Sequence, residues 1–535
     1  MKVKTLLERI SYRLLAGSLE GEVTGICQDS RKVKAGDCFI CLTGTTFDSH
    51  KVLPDILAAH PALVVVEKVP TEAELTAAEN SAGAGTTVVL VEDSRKAVGH
   101  LSSAFYGYPS EHMTMLGVTG SKGKTTVTDS TAAVLREAGL KVGTVGSSGC
   151  TFPYDADFED QLPEEEKKKI RPSEETEGLS WYELYNSTPD GMELQKLLSY
   201  MVQTGCTHAV VEVSSQAMKM SRVEGITFDY AVFTNLEKGD HIGGAEHKDF
   251  DEYLHCKAAL MNQSRLALLN RDNAFYEDYR AAVTLSAEQV KTFGQNEEAD
   301  IRLSGFESLY HEETHDPEIS FDVTAPVDGR VHCHLPGEIS MYNAAAAAIM
   351  GTYCGVDLET INRALMNLNI RGRFDIIYDG AFRVCIDFAH NGISLKKHLE
   401  ACRAYEPKRL VCVFGASGGR TKDRRTGMGE AASSLADFTI ICEEHNRMET
   451  FEAILRDILE GVEAGEATLG RQADYMVIPN REKAIRFAIE NARDGDFITI
   501  VGLGGETYQF MKGKVLYHSD IDYSKGVLRD MGLIS

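Results

Sequence analysis

Nowhere in this sequence do about twenty apolar residues run together, so no segment is suited to cross a bilayer as a helix. The start, MKVKTLLERISYRLLAGSLEG, also lacks the unbroken apolar stretch of a secretory signal, and a cytoplasmic protein without membrane insertion is expected. Basic residues are scarce: 55 Lys and Arg stand against 80 Asp and Glu, a net charge of −25. That balance argues against nucleic acid or an anionic membrane as a general partner, and any anionic ligand must be met by locally placed cations. Paired cysteines are scarcer still. The twelve cysteines are scattered, and the one C-x-x-C, Cys38 to Cys41, lies in DCFICLTG, which reads as a strand. Those two positions point to opposite faces of a strand. A shared metal or redox role is therefore disfavoured, and a reducing compartment fits. Tryptophan occurs once, at Trp181.

The 535 residues exceed what one core supports, and three domains are the working division. Residues 1–110 mix helix-like runs with strand-like ones such as ALVVVE and TTVVLVED, and close on the linker-like FYGYPSEH. They read as a small α/β domain. From MTMLGVTG onward, apolar strands such as THAVVEVSS and DYAVFTNL alternate with helical stretches, which reads as a doubly wound, mainly parallel sheet over 111–369. A second α/β series, FRVCIDFA, RLVCVFG, FTIICEE and FITIVGLGG, forms a third domain over 370–535. Within the central domain, 151–185 is dense in charge and proline. Its composition predicts a flexible surface insertion, with a lid over the substrate as the alternative.

The strongest chemical signal is MTMLGVTGSKGKTTVTDS: an apolar strand, a glycine-rich turn and a helix starting near Lys124. The usual phosphate-loop spacing asks for glycine five positions before the glycine of Gly-Lys-Thr. Val118 stands there instead, and the glycines fall at Gly117, Gly120 and Gly123. The turn still offers successive N–H groups and the positive end of a helix to a polyphosphate, while Lys124 and the Thr125 hydroxyl suit phosphate oxygens and magnesium.

Together with the segments that follow, this loop makes the chain resemble the Mur ligase family along nearly its whole length, most closely the branch that adds the third residue to the muramoyl peptide. That family's loop is T-G-x-x-G-K-T-T, matched from Thr119 to Thr126. The match implies that Gly120, Ser121, Lys122, Gly123, Lys124, Thr125 and Thr126 hold ATP. QDSRKVKAGDCF resembles the family's D-S-R-x-V-x-x-G-D-x-F and implies that Ser30 meets the uridine portion of a nucleotide-sugar substrate. NSTPDGMELQ is similar to a substrate-contact segment, which implies Asn186, Ser187 and Thr188. VEVSSQAMKMSR resembles E-V-S-S-H-A-L-x-x-x-R, with Gln216 in place of the histidine and Met220 where a glutamine is common. It implies Glu212 for magnesium, with Ser214 and Arg222 for the substrate. FTNLEKGDHIGGAEHKDFDEYLHCKAALM resembles T-N-L-x-x-D-H followed by Y-x-x-x-K. By that match His241 serves a second magnesium and Lys257 becomes N6-carboxylysine, a carbamate whose hard oxygen suits magnesium. YNAAAAAIM, IRGRFDII and CIDFAHNGISL are similar to segments near the nucleotide, which implies Asn343, Arg373, Asp387 and His390.

Three further segments bear on the incoming amino acid. FGASGGRTKDRRTGMG resembles F-G-C-G-G-D-R-D-x-x-K-R-x-x-M-G and implies Arg420 at a substrate carboxylate. EEHNRME stands where diaminopimelate-adding members carry D-N-P-R: Glu444, His445 and Asn446 depart, and Arg447 persists. GLGGETYQ stands for G-K-G-H-E-T-Y-Q and gives Gly502 and Glu506, with Leu503 and Gly505 departing. An arginine fork suits a carboxylate and would have no partner at the cationic tip of lysine, so Arg447 favours an amino acid with a distal carboxylate, meso-diaminopimelate. Glu506 is implied to hold its ammonium group.

The resemblance thus implies a three-domain architecture, with a central doubly wound P-loop ATPase domain and a carboxy-terminal Rossmann-like domain. It implies an ATP- and magnesium-dependent ligase that joins a diamino acid to UDP-N-acetylmuramoyl-L-Ala-D-Glu through an acyl phosphate, in peptidoglycan precursor synthesis. Lys124, Glu212, His241 and Lys257 would carry the catalysis, with Thr125, Glu212, His241 and Lys257 at the metal. An L-lysine-adding form, a paralogue with another substrate, a folylpolyglutamate-synthetase-like ligase and a non-catalytic nucleotide binder stay open. A monomer is the working expectation for oligomeric state.

Overall fold

Short β-branched runs become the inner strands. LVVV at Leu63–Val66 and TVVL at Thr87–Leu90 are almost wholly buried and pair in parallel, as expected of strands covered on both faces. A computed structural model describes every residue except 45–46, 81–84, 174–177, 239–241, 243–245, 311–316, 471 and 535. It divides into two units, Met1–Arg302 and Leu303–Ser535, the division falling inside the strand Ile301–Tyr310.

The first unit opens with a five-stranded sheet in the order Arg13–Ala16, Thr87–Leu90, Leu63–Val66, Asp37–Ile40, Gly25–Cys27. Only the first pairing is antiparallel. Cys38 joins the core with Leu63 and Val65, whereas Cys41 joins the opposite core with Val64 and Val66, so the C-x-x-C pair is split between two faces as the strand reading expects. Among the described residues all twelve cysteines are free thiols.

The second sheet of this unit has Thr114–Thr119 at its centre, with Phe228–Phe233, Ser264–Asn270 and Val290–Gly294 on one side and His208–Glu212 and Val142–Gly146 on the other, all parallel. The chain leaves Thr114–Thr119 through the helix Lys124–Glu137 to one side and later reaches Phe228–Phe233 on the other. This is a topological switch point, where open α/β sheets bind ligands beyond the carboxyl ends of their strands.

Beyond Val142–Gly146 the sheet continues antiparallel through Gly149–Pro153, Leu179–Tyr182 and Ile170–Pro172. The described residues of 151–185 therefore form strands and short helices where their composition predicts a flexible surface insertion. Phe158 packs edge-on against Phe152 at 6.3 Å and Tyr200 at 5.2 Å, and Lys196 donates to Glu166 at 2.8 Å. The charges mask a few apolar positions that suffice to seat the segment on the helix Gly191–Gln203.

In the second unit, antiparallel strands Pro317–Val323 and Gly329–Cys333 adjoin the helices Glu338–Tyr353 and Leu358–Met366. A six-stranded sheet follows, ordered Asp375–Asp379, Arg383–Asp387, Asp496–Val501, Arg409–Phe414, Phe438–Ile441, Tyr475–Val477, parallel except at the first strand. Apolar clusters line both faces, the doubly covered arrangement that the strand–helix alternation predicts. Beneath it the ion pair of Arg481 and Asp520 is fully buried: Arg481 Nε donates to Asp520 Oδ1 at 2.8 Å, and Arg481 Nη2 to the carbonyl of Val501 at 2.9 Å.

Candidate active site

The turn after Thr114–Thr119 is shaped by what it must pass. At Gly120 φ is +153°, and a Cβ there would stand 1.9 Å from Thr234 Oγ1, so glycine alone fits against the end of Phe228–Phe233. Asn235 ties the loop down: its carbonyl accepts from Ser121 N at 2.8 Å and its Oδ1 from Lys122 N at 2.9 Å. Ser121 Oγ lies 2.8 Å from the Tyr253 hydroxyl and accepts from Glu237 N at 3.0 Å. The helix Lys124–Glu137 begins at its cap residue Gly123, with Thr125 buried and Thr126 half-buried on the first turn. The shifted glycine spacing therefore still delivers a phosphate-loop geometry.

Glu212 ends the neighbouring strand His208–Glu212 and is 2 % exposed. Its carboxylate accepts from Thr125 Oγ1 at 3.1 Å, from Ser147 N at 3.0 Å and from Ser147 Oγ at 3.2 Å, and lies 4.0 Å from Lys124 Nζ. Lys257, also 2 % exposed, projects from the helix Phe250–Asn262 and donates to the carbonyl of Gly120 at 2.7 Å. Lys124 Nζ donates to that same carbonyl at 3.0 Å. Lys124, Thr125, Glu212 and Lys257 thus meet around the Gly120 turn. His241 lies outside the described residues.

Hard oxygen donors converge here, from Thr125, Ser147 and Glu212, and they fit magnesium. Among the described residues no cluster of three or more His, Cys, Asp or Glu side chains forms a metal site. A metal at Glu212 would complete its shell with hydroxyls, phosphates and water. At Lys257 two ammonium groups share one carbonyl, and a carbamate would replace their repulsion with attraction.

Thr188 Oγ1 links this centre to the segments that the resemblance assigns to the substrate, donating to the carbonyl of Glu212 at 2.8 Å and accepting from Ser214 N at 3.1 Å. Arg222 Nη1 donates to the carbonyl of Thr188 at 2.8 Å. Ser214 caps the helix Ser215–Lys219, Ser187 is half-buried and Asn186 exposed. Ser30 sits apart, half-buried in a turn between Asp29 and Arg31, where bidentate hydrogen bonds from Arg31 lower the Asp29 carboxyl to about 2. The sequence reading missed His247, buried and 3.0 Å from Ser215 Oγ, because its local sequence AEHKD looks like surface.

In the second unit, Phe388 is held between the guanidinium of Arg373, 4.0 Å from its ring centre, and the His390 ring, 4.7 Å away edge-on. Asp387 accepts from Phe374 N at 2.8 Å and Ala389 N at 2.7 Å, which fixes this turn. Asn343 lies buried on the helix Glu338–Tyr353.

The residues predicted for the amino acid gather at the loops after the strands Arg409–Phe414, Phe438–Ile441 and Asp496–Val501. Glu444 is 2 % exposed; Ser417 Oγ donates to its Oε1, and its Oε2 carries no hydrogen bond among the described residues. A Cβ at Gly502 would stand 2.7 Å from that Oε2, so a side chain there would crowd the carboxylate. His445 Nδ1 accepts from Phe510 N at 3.0 Å, which leaves the proton on Nε2 to donate to Glu506 at 2.8 Å. Arg447 bonds through its backbone N–H to the carbonyl of Phe510 at 2.8 Å, and the half-buried Arg420 follows Gly419, whose Cβ position is 3.5 Å from Arg447 Cδ. The histidine lock on Glu506 was not anticipated.

Comparison with known proteins places the chain in a family. Residues 118–351 match the Mur ligase middle domain and residues 372–504 the Mur ligase, glutamate ligase domain. The chain is 30 % identical over 536 residues to the UDP-N-acetylmuramoyl-L-alanyl-D-glutamate–2,6-diaminopimelate ligase of Clostridium botulinum, covering 99 % of this chain and 100 % of that protein. To the ligase of the same name from Bacillus licheniformis it is 32 % identical over 545 residues, covering 99 % of each. A solved structure of a ligase of that name superposes with a TM-score of 0.62 at 22 % identity, covering 99 % of both chains, a likeness of fold. With its phosphate loop, buried Glu212 and Lys257 and full-length relatives, this chain belongs to the Mur ligase family of ATP-dependent, bond-forming enzymes.

Proposed function

We propose that the protein joins the amino group of a diamino acid, meso-diaminopimelate, to UDP-N-acetylmuramoyl-L-Ala-D-Glu at the expense of ATP, as the names of its relatives state for them. The observation that carries this reading is the convergence of Lys124, Thr125, Glu212 and Lys257 on the Gly120 turn. Three functional parts, 1–110, 111–369 and 370–535, would hold the nucleotide-sugar through Ser30, the ATP, and the amino acid. Asn343, Arg373, Asp387 and His390 would serve the nucleotide from the carboxy-terminal side.

The acceptor carboxylate attacks the γ-phosphorus, ADP leaves, and an acyl phosphate forms; Lys124 and the loop N–H groups stabilise charge on the transferring group. The amine then attacks the acyl carbon, and inorganic phosphate departs with one former carboxylate oxygen. Magnesium, held at Thr125 and Glu212 and at His241 and a carbamylated Lys257, would supply Lewis-acid neutralisation of the phosphates. In the proposed amino-acid pocket, Arg420 and Arg447 suit carboxylates, while the buried Glu444 Oε2, which accepts no hydrogen bond among the described residues, and the His445-oriented Glu506 suit an ammonium group. A substrate bearing both charges at its distal end is what this set favours, which supports diaminopimelate over lysine.

The test is ATP-dependent phosphate release with UDP-N-acetylmuramoyl-L-Ala-D-Glu and, in turn, meso-diaminopimelate, L-lysine or no amine. Selective response to diaminopimelate is expected. A response to lysine would overturn the Arg447 argument, and silence with every amine would overturn the substrate assignment.

A further inference from the structure

The magnesium carboxylate is held from a direction that the phosphate loop does not supply. Ser147 and Ser148 form the two-residue turn between the strands Val142–Gly146 and Gly149–Pro153, and Ser147 grips Glu212 through both its N–H, at 3.0 Å, and its hydroxyl, at 3.2 Å. The other side of that turn is fastened by Trp181, whose indole Nε1 donates to the carbonyl of Ser148 at 2.8 Å. Ser148 Oγ adds a bond to Asp129 at 3.0 Å.

The indole seat is built by its neighbours. Trp181 pairs with Thr151 on one side and Arg171 on the other. The Arg171 guanidinium lies 4.2 Å from the ring centre, a cation–π contact that fixes the ring plane. At Gly149, φ is +96° and a Cβ would stand 2.5 Å from Trp181 Nε1, so the indole occupies the space that any side chain there would need. The segment 151–185 thus carries the chain's one tryptophan to the turn that holds Glu212.

We propose that Trp181 is a positioning residue for the Glu212 carboxylate, acting through the Ser147–Ser148 turn, and that it sets how strongly magnesium assists nucleotide binding. The inference rests on the reading of Glu212 as a magnesium ligand given above. An indole–carbonyl hydrogen bond sets the height of the turn, and the turn sets the carboxylate through two further hydrogen bonds. Loosening the first lets Glu212 leave the orientation in which it shares Thr125 with a metal, while the loop that holds the phosphates stays intact.

The experiment measures ADP affinity by calorimetry, with Mg2+ and with EDTA, for the full-length wild type, Trp181→Phe, Gly149→Ala and Glu212→Gln. Trp181→Phe keeps a ring over Gly149 and removes the N–H donor; Gly149→Ala displaces the indole and leaves it in the chain. Both are expected to lose about five- to tenfold of the affinity gain that Mg2+ brings, the worth of about one buried hydrogen bond, with affinity in EDTA unchanged. The Mg2+ concentration for half-maximal turnover rises by the same factor, and the KM for the amino acid does not move. Equal losses with and without Mg2+, or no loss in either variant, would overturn the proposal. Should Glu212→Gln lose the Mg2+ effect while both other variants keep it, this inference alone fails. Should Glu212→Gln keep it, the metal reading of Glu212 falls and the inference with it.

Discussion

Lys257 and Lys124 converge on the carbonyl of Gly120, at 2.7 and 3.0 Å, in a site where Lys257 is 2 % exposed. Burying one ammonium group beside another is costly unless its charge changes, and the proposed carbamate changes it. Lys257→Ala is therefore expected to lower kcat by roughly 10²- to 10³-fold, the scale of one electrostatic contributor in a closed site, with partial rescue by formate or acetate. Normal turnover of that variant without added acid would count against the second metal site. In the proposed amino-acid pocket, Arg447→Ala should raise the KM for the diamino acid about 10- to 100-fold, the worth of a charge-assisted hydrogen bond, and leave the KM for ATP unchanged. Lys257 alone would read as a surface lysine, and only its place in the Y-x-x-x-K pattern marked it. The lock of His445 on Glu506 was not legible at all, because it depends on the backbone of Phe510, 65 residues further on.

At the scale of elements, TMLGVT followed by a glycine turn was legible because local chemistry decides it: an apolar run, glycine where the chain must pass Thr234, and a helix that starts at once. Gly120→Ala places a Cβ 1.9 Å from Thr234 Oγ1 and is expected to cut ADP affinity at least tenfold, measured by calorimetry, since the loop N–H groups must move apart. The strands within the described part of 151–185 were not legible for the opposite reason. Its fold depends on pairing with Gly149–Pro153 and on Phe158 reaching Phe152 and Tyr200, contacts that composition does not encode. The Arg481–Asp520 pair anchors the carboxy-terminal sheet from below. Burial alone would raise Asp520, but the adjoining Arg481 and His518 hold it below the usual carboxylate range. A depressed carboxyl contributes stability above its unfolded value, near pH 4, and loses that contribution as pH falls toward its folded value. The wild type should therefore lose melting temperature more steeply than Asp520→Asn below about pH 4. Arg481→Ala should cost about 3–5 kcal/mol at neutral pH in denaturant unfolding, because it strands a buried carboxylate.

For the whole molecule, alternation of strand and helix was enough to predict two doubly wound sheets, and the order of motifs along the chain was enough to predict the family. The net charge of −25 fits the proposal that anionic phosphates are met at placed groups, Lys124 and the loop N–H donors. Which amino acid is added was less legible, since Glu444, His445 and Asn446 depart from the pattern while Arg447 keeps it. The central claim, however, is the reaction: a carboxylate activated by ATP as an acyl phosphate and then taken by an amine. Acceptor labelled with 18O in the reacting carboxylate, incubated with ATP and meso-diaminopimelate, tests it directly by mass analysis of the released phosphate. One 18O atom in each phosphate is the predicted result. Unlabelled phosphate, with amide product formed, would contradict the account.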